Sequence, residues 1–369
     1  MPSPPPAAST RARSPRQRVR LLGFALALGL VLVAVAVVVA VVLERSLSPD
    51  PVAQAPGDDP VSSELQNLPK LPPQVDDPRE VLPAALLRRS IDYVALGDSY
   101  SAGPGLEPQR PDPVACQRTG YNWPAYLADW LDVATYRDVT CTGATTGALM
   151  GVQRRPDGTV VPPQVEALTE ETDLVTVSLG GNDNALFATL VGVCSDLADR
   201  DPGGDPCRAE FGGAGGADRA LAELPVQLAV VIRRIRLAAP RAQVVVVGYP
   251  QIFPRTGTCA EVSLATGDVA WAAGLVDRVD EAMLQAADME GVRFVDVAVS
   301  DENHDVCAPE PWVTGAQSEP EASTPWHPYP LGMQEVARLV TTQLTGEVVT
   351  PSGGPPQLAA GVAEANAVQ

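Results

Sequence analysis

The stretch YVALGDSYSAG, residues 93–103, runs apolar as far as Leu96 and then breaks into glycine, a carboxylate and a hydroxyl. A strand bound for a buried sheet can end this way for two reasons. Asp98 or Ser99 can cap a following helix by accepting backbone N–H bonds. Alternatively, Ser99 is a nucleophile held at the carboxyl end of a strand, where open α/β sheets place their ligands. The second reading requires a base and an oxyanion hole elsewhere in the chain.

Outward from this stretch, apolar runs recur at Val139–Cys141, Leu174–Leu179, Val244–Val247 and Val292–Val297, which with Tyr93–Leu96 make five candidate strands. Four consecutive valines at 244–247 mark a strand buried on both faces. Between the runs, WPAYLADWL, ADRALAELPVQLAVVIRRIRLAA and AWAAGLVDRVDEAMLQAA carry apolar residues at helical spacing. Strands alternating with helices imply βαβ units and a parallel sheet covered on both faces, in one domain of about 89–346. Residues 194–216, with two cysteines and six glycines, read as a surface insertion.

The flanks are different in kind. Residues 1–20 hold five arginines and no acid, and Leu21–Leu43 follows as 23 residues without a charge. As a helix that run spans about 34 Å, enough to cross a hydrocarbon core of about 30 Å. A cleaved signal peptide would have an apolar region of only about 7–15 residues with a small-x-small site directly after it. The expectation is therefore a cytoplasmic basic tail, a single-pass anchor over 21–43 and an extracytoplasmic remainder, with secretion after cleavage as the alternative. Residues 44–88, rich in Pro and Asp, are expected to form a semi-extended linker, and 347–369 a disordered tail.

The net charge of −19 is split, with residues 1–45 carrying +5 and the remainder −24. So acidic a domain argues against nucleic-acid binding. All six cysteines, Cys116, Cys141, Cys194, Cys207, Cys259 and Cys307, follow the apolar segment, and an even count in an exported domain suggests disulfides. Sequence alone allows 15 pairings; pairing in chain order, 116–141, 194–207 and 259–307, is the working expectation. No cysteine or histidine cluster points to a metal, and no cofactor is expected.

Four places carry the chemistry. Ser99 follows the first strand, Gly143 in CTGATTG the second, Asn182 in SLGGNDN the third, and His327 in WHPYPLG precedes the last helix. Each alone has a structural explanation in turns, close approaches or helix lead-ins. Together they supply a nucleophile, a backbone donor, a side-chain amide donor and a base, the set that acyl transfer needs. The chain has only two histidines. The other, His304 in DENHDVC, is the rival base, with a loop position beside Cys307 as its bland explanation.

GDS near the domain start, the glycine after strand two, GND after strand three and the late HP resemble the blocks of the SGNH (GDSL-like) hydrolase family, over essentially all of residues 89–346. The resemblance implies a flavodoxin-like three-layer α/β/α sandwich with a central five-stranded parallel sheet, and metal-free ester hydrolysis. It implies Ser99 as nucleophile and oxyanion donor, Gly143 and Asn182 as the other donors, and His327 as general base. The Cys116 and Cys141 layout is similar to secreted actinobacterial esterases and lipases. Two departures stand out. Tyr100 replaces the family's common leucine, a change expected to matter little. Thr324 stands where most members have an aspartate three residues before the histidine. A subset of the family uses a main-chain carbonyl there, so the Thr324 carbonyl is expected to orient His327, with Asp301 or Asp305 as a displaced acid in reserve. Asp98 is expected to be a structural acceptor, and Trp326 to line the acyl site.

Three functions are compatible with these residues. The first is a membrane-anchored hydrolase of lipid or small-molecule esters. The second is an O-acetyl esterase acting on envelope polysaccharide. The third is a non-catalytic binding protein on a hydrolase scaffold, supported only by the missing acid at Thr324.

Overall fold

The computed structural model describes residues 60–88, 90–214, 216–298, 303–317, 323–351 and 354–358; the expected tail 1–20, the anchor 21–43 and the first part of the expected linker, 44–59, lie outside them. Five parallel strands form the sheet: β1 Asp92–Gly97, β2 Thr135–Asp138, β3 Leu174–Ser178, β4 Gln243–Val247 and β5 Arg293–Val295. Their spatial order is β2-β1-β3-β4-β5, the flavodoxin-like order whose switch point lies between β1 and β3. Tyr93 pairs with Leu174 and Gly97 with Ser178, so the two strands end level. Ser99 and Asn182 follow those adjacent ends, where such sheets bind ligands.

Helices α1 Pro60–Asn67, α2 Ser99–Ala102, α3 Trp123–Trp130, α4 Ala217–Ala238, α5 Val269–Glu290 and α6 Pro330–Thr345 complete the main frame. Strand alternation divides the core in two. Val94, Leu96, Val244 and Val246 pack with Leu224 and Leu228 of α4 and Val279 and Met283 of α5. Tyr93, Ala95, Val245 and Val247 pack on the opposite face with Leu127 of α3 and Val336 and Val340 of α6. The four valines thus serve both layers.

Two expectations need correction. The second strand is Thr135–Asp138 rather than Val139–Cys141. It is an edge strand whose buried positions are Tyr136 and Asp138, so it has no apolar run to betray it. Residues 139–141 still run beside β1, with Val139 N–H on the Ala95 carbonyl at 3.1 Å and Cys141 N–H on the Gly97 carbonyl at 3.0 Å.

The second correction concerns residues 60–88, which pack on the domain instead of forming a linker. Val75, Leu82 and Leu86 are buried. Phe294 N–H donates to the Pro78 carbonyl at 2.7 Å, and the Gln74 side chain bridges Ala242 O at 2.6 Å and Val244 N at 3.0 Å. Backbone and amide pairing along the sheet margin hold this segment, and such pairing leaves no signature in composition. Leu358, in the expected tail, also packs against the second core.

Disulfides join Cys116 to Cys141, Cys194 to Cys207 and Cys259 to Cys307. Cys194 and Cys207 are fully buried, so the glycine-rich insertion is pinned into the first core. Among the described residues, no helix is long and apolar enough to cross a membrane.

Candidate active site

The opening stretch forms the helix cap of its first reading and, as the second requires, carries Ser99 just past the carboxyl end of β1. Asp98 is the N-cap of α2, its carboxylate accepting Tyr100 N–H at 2.9 Å, and Ser99 is the first helical residue. Gly103 closes the single turn in left-handed backbone, φ +76°. Gly97 is held by an amide clamp, since Gln164 accepts its N–H and donates to its carbonyl, both at 2.9 Å. A Cβ at Gly97 would lie 2.7 Å from Ser101 Oγ, so glycine is required before the turn. As the first residue of a helix, Ser99 has an N–H with no intrahelical acceptor.

Gly143 has φ +73°, a conformation that favours glycine, although a Cβ there would meet nothing closer than Arg155 at 3.4 Å. Its loop is tethered by the Cys116–Cys141 disulfide and by Gln153, whose amide donates to the Thr142 carbonyl at 2.9 Å. Asp183, the acid of GND, ties this loop to the Asn182 loop by accepting Thr146 N–H at 3.0 Å and Thr146 Oγ1–H at 2.5 Å.

Asn182 Nδ2 donates to Asp98 Oδ2 at 3.2 Å and to the Ala144 carbonyl at 3.1 Å. Both amide protons are therefore engaged, each at the long end of the hydrogen-bond range. Asp98 Oδ2 also accepts from Tyr249 Oη at 2.6 Å, while Tyr249 Oη accepts Gly181 N–H at 3.0 Å. Tyr249, fully buried, is thus the hub linking the serine turn to the asparagine turn. Sequence reasoning missed it, because a tyrosine after a valine run carries no motif. Burial pushes the Asp98 carboxyl up to about 7, against the hydrogen bonds from Tyr249 and Tyr100.

His327 Nδ1 lies 2.8 Å from the Pro325 carbonyl. The Thr324 carbonyl, expected in that role, instead accepts His327 N–H at 3.2 Å, with the Thr314 hydroxyl 2.8 Å away. The turn at 324–327 folds the chain so that the carbonyl two residues back, not three, meets the ring. Because a carbonyl only accepts, Nδ1 carries the proton and Nε2 is left with its lone pair, the tautomer a base requires. Burial lowers the imidazole pKa to about 4, the Pro325 hydrogen bond opposing.

The alternatives lie elsewhere. His304 stacks on Trp312 at 4.3 Å with Nδ1 against the Glu310 carbonyl at 2.8 Å. Asp305 accepts Cys307 N–H at 2.7 Å, and Asp301 is outside the described residues. Among the described residues there is no group of three or more His, Cys, Asp or Glu side chains placed to hold a metal ion.

Ser99, Gly143, Asn182 and His327 line one cavity of about 210 Å³ whose other walls include Phe187, Leu190, Ile252, Phe253 and Trp326. Phe187 lies against the Gly181 backbone, where a Cβ would sit 2.2 Å from the ring, and so is set beside Asn182. A larger cavity, about 280 Å³, shares Leu190 as a wall and is bounded by Phe211 and Trp271; its lining holds no serine, cysteine or histidine.

Comparison with known proteins agrees with this fold. Residues 95–335 match the GDSL-like Lipase/Acylhydrolase family. Lipase 2 of Streptomyces coelicolor is 35% identical over 258 residues, covering 67% of this chain and 84% of the relative. The solved structure of phospholipase A1 from Streptomyces albidoflavus NA297 superposes with a TM-score of 0.57 at 27% identity, over 69% of this chain and all of that one. The extracellular lipase from Streptomyces rimosus gives 0.57 at 29% identity with the same coverage.

Proposed function

The chain belongs to the GDSL-like lipase/acylhydrolase family and is a carboxylic ester hydrolase, and on that premise we propose that it cleaves acyl esters through an acyl-enzyme on Ser99. The observation that carries this is the meeting of Ser99, Gly143, Asn182 and His327, from four separate segments, on one apolar cavity. His327 Nε2 takes the Ser99 proton as Oγ attacks the ester carbonyl. The carbonyl π electrons move to oxygen, where the N–H groups of Ser99 and Gly143 and the Asn182 amide receive the negative charge. A charged oxyanion outcompetes the neutral Ala144 carbonyl for an Asn182 N–H, since charge-assisted bonds are about twice as strong as neutral ones. The imidazolium then protonates the leaving alcohol, and water repeats the sequence to free the acid. The Pro325 carbonyl orients the ring without the charge that a carboxylate would lend to the imidazolium.

The cavity walls support an acyl chain rather than acetate as the group bound. Phe187, Leu190, Ile252, Phe253 and Trp326 offer apolar area along which each methylene gains about 0.8 kcal/mol. Lipid or small-molecule esters are therefore favoured over O-acetylated glycan, in keeping with lipase and phospholipase A1 as the names of its relatives. We place the enzyme outside the cytoplasm, held at the membrane by residues 21–43, because that run is uncharged over 23 residues and the following domain is disulfide-bonded. Turnover of p-nitrophenyl esters from acetate to palmitate tests the substrate. Medium or long chains should be preferred; acetate alone would favour a glycan acetyl esterase, and no turnover a binding protein. Alkaline extraction of membranes, which strips peripheral proteins, tests the anchor: the full chain should stay with the lipid.

A further inference from the structure

A bulky residue in left-handed backbone stands directly before the base. Trp326 has φ +64°, a region that large side chains rarely adopt and that persists only when surroundings enforce it. The Gly315 carbonyl accepts the Trp326 N–H at 3.2 Å and Phe253 packs on its ring at 5.1 Å, and a third contact comes from the residue after the nucleophile. Tyr100 Oη donates to the Trp326 carbonyl at 2.5 Å across 226 positions of sequence. The Tyr100 ring lies 5.3 Å from the His327 ring, tilted 33°. It is itself buried and fixed edge-on by Tyr249 at 5.2 Å and Phe187 at 6.0 Å.

The same segment grips the base loop a second time. The Pro104 carbonyl accepts Thr324 N–H at 3.2 Å, and a Cβ at Gly105 would lie 2.6 Å from Thr324 N. This matters because the bond that orients the imidazole comes from Pro325, within the same loop. A carbonyl two residues away sets the ring relative to its own loop, but not the loop relative to Ser99. Thr314 fixes the main chain at His327, accepting its N–H at 3.1 Å. Tyr100 touches both the preceding carbonyl and the ring.

We propose that Tyr100 is a positioning residue for the general base: its hydroxyl holds Trp326 in left-handed backbone and its ring seats the His327 imidazole against Ser99. The inference rests on the Ser99–His327 reading above. Residues 99 and 100 then supply the nucleophile and the register of its base, a duty that in a triad falls to a carboxylate. The expectation that tyrosine in place of the family's leucine matters little is replaced by this role.

The test is a double-mutant cycle on p-nitrophenyl butyrate. Tyr100→Phe keeps the ring and deletes the bond, so kcat should fall about ten- to hundredfold, as loss of near-attack geometry does, with KM within about twofold. Trp326→Gly accepts positive φ without strain, so Tyr100→Phe introduced into that background should cost less than about threefold in kcat. Trp326→Asn, also tolerant of that conformation, serves if glycine destabilises the loop. A purely structural tyrosine would lower Tm with additive effects on rate. In the pH profile Tyr100→Phe should leave the acid limb of kcat/KM near 4, because the ring against His327 is kept. Wild-type kcat in Tyr100→Phe, or equal losses in both backgrounds, would overturn the proposal. Ser99→Ala separates this from the underlying reading: an inactive Ser99→Ala beside a fully active Tyr100→Phe removes only the positioning role, whereas an active Ser99→Ala removes the dyad itself.

Discussion

Among the described residues His327 Nδ1 meets the Pro325 carbonyl and no carboxylate, which has a measurable consequence in the acid limb of the rate profile. The ring is faced by Tyr100, whose own pKa burial holds well above 10, by the Pro325 carbonyl and by the apolar cavity. With burial dominant, the imidazole titrates at about 4 instead of 6.5. At pH 5.5 a base of pKa about 4 is almost wholly neutral, whereas one of 6.5 is only about a tenth neutral. kcat/KM for p-nitrophenyl butyrate should therefore be nearly unchanged between pH 7.5 and 5.5, measured by alkaline development of quenched product. Stability sets the working range. The unfolded chain binds the His327 proton first, so the penalty is absent above 6.5, grows as pH falls, and is complete below 4 at about 3 kcal/mol or less. Asp98 works in the opposite sense: raised from 3.8 to about 7, it favours the folded state increasingly as pH falls through that window. The two slopes offset each other over about pH 4–6.5, and the domain should remain folded through the assay. Asp98 is also the group that could imitate a base near neutrality. A limb with its midpoint at 6–7 that persists in Asp98→Asn would refute the carbonyl-oriented dyad and call for a carboxylate beside His327.

Asn182→Ala should lower kcat by about 10²–10³-fold with little change in KM, the signature of a donor used in the transition state; an effect confined to KM would make it a ground-state contact. Thr324→Ala should retain most activity, because its carbonyl survives and holds backbone rather than ring, while His327→Ala should lose about 10²–10⁴-fold in the same assay. Asp305→Asn should match wild type, since its carboxylate serves Cys307 N–H. Phe187→Ala should shift the preferred p-nitrophenyl ester toward longer chains, because the ring forms part of the acyl wall; an unchanged chain-length profile would place the acyl group elsewhere.

What could be read from the chain, and what could not, follows from how locally each feature is encoded. The β1, β3 and β4 strands announce themselves because both faces are buried and apolar residues dominate each run; Val244–Val247 feeds two cores by alternation alone. The edge strand Thr135–Asp138 hides its strand character in a TYRD alternation. The segment 60–88 hides its packing, because its buried Val75, Leu82 and Leu86 are scattered rather than periodic and backbone bonds such as Phe294 N–H to Pro78 O supply the rest. At the site, Ser99, Gly143, Asn182 and His327 lie in short motifs of restricted chemistry, and the Cys116–Cys141 bond can be guessed from order. The residues that hold them in place have no such mark. Tyr249 reaches Asp98 across 151 positions, and Tyr100 reaches Trp326 across 226. The orienting carbonyl is the instructive error, because every residue has a carbonyl and only the turn decides which one meets the ring. That turn depends on left-handed backbone at Trp326, a conformation that its own side chain resists and that a hydroxyl from the nucleophile's helix supports. The proposed reacting groups are therefore legible one motif at a time, while their mutual geometry lies in long-range pairs that no local pattern records.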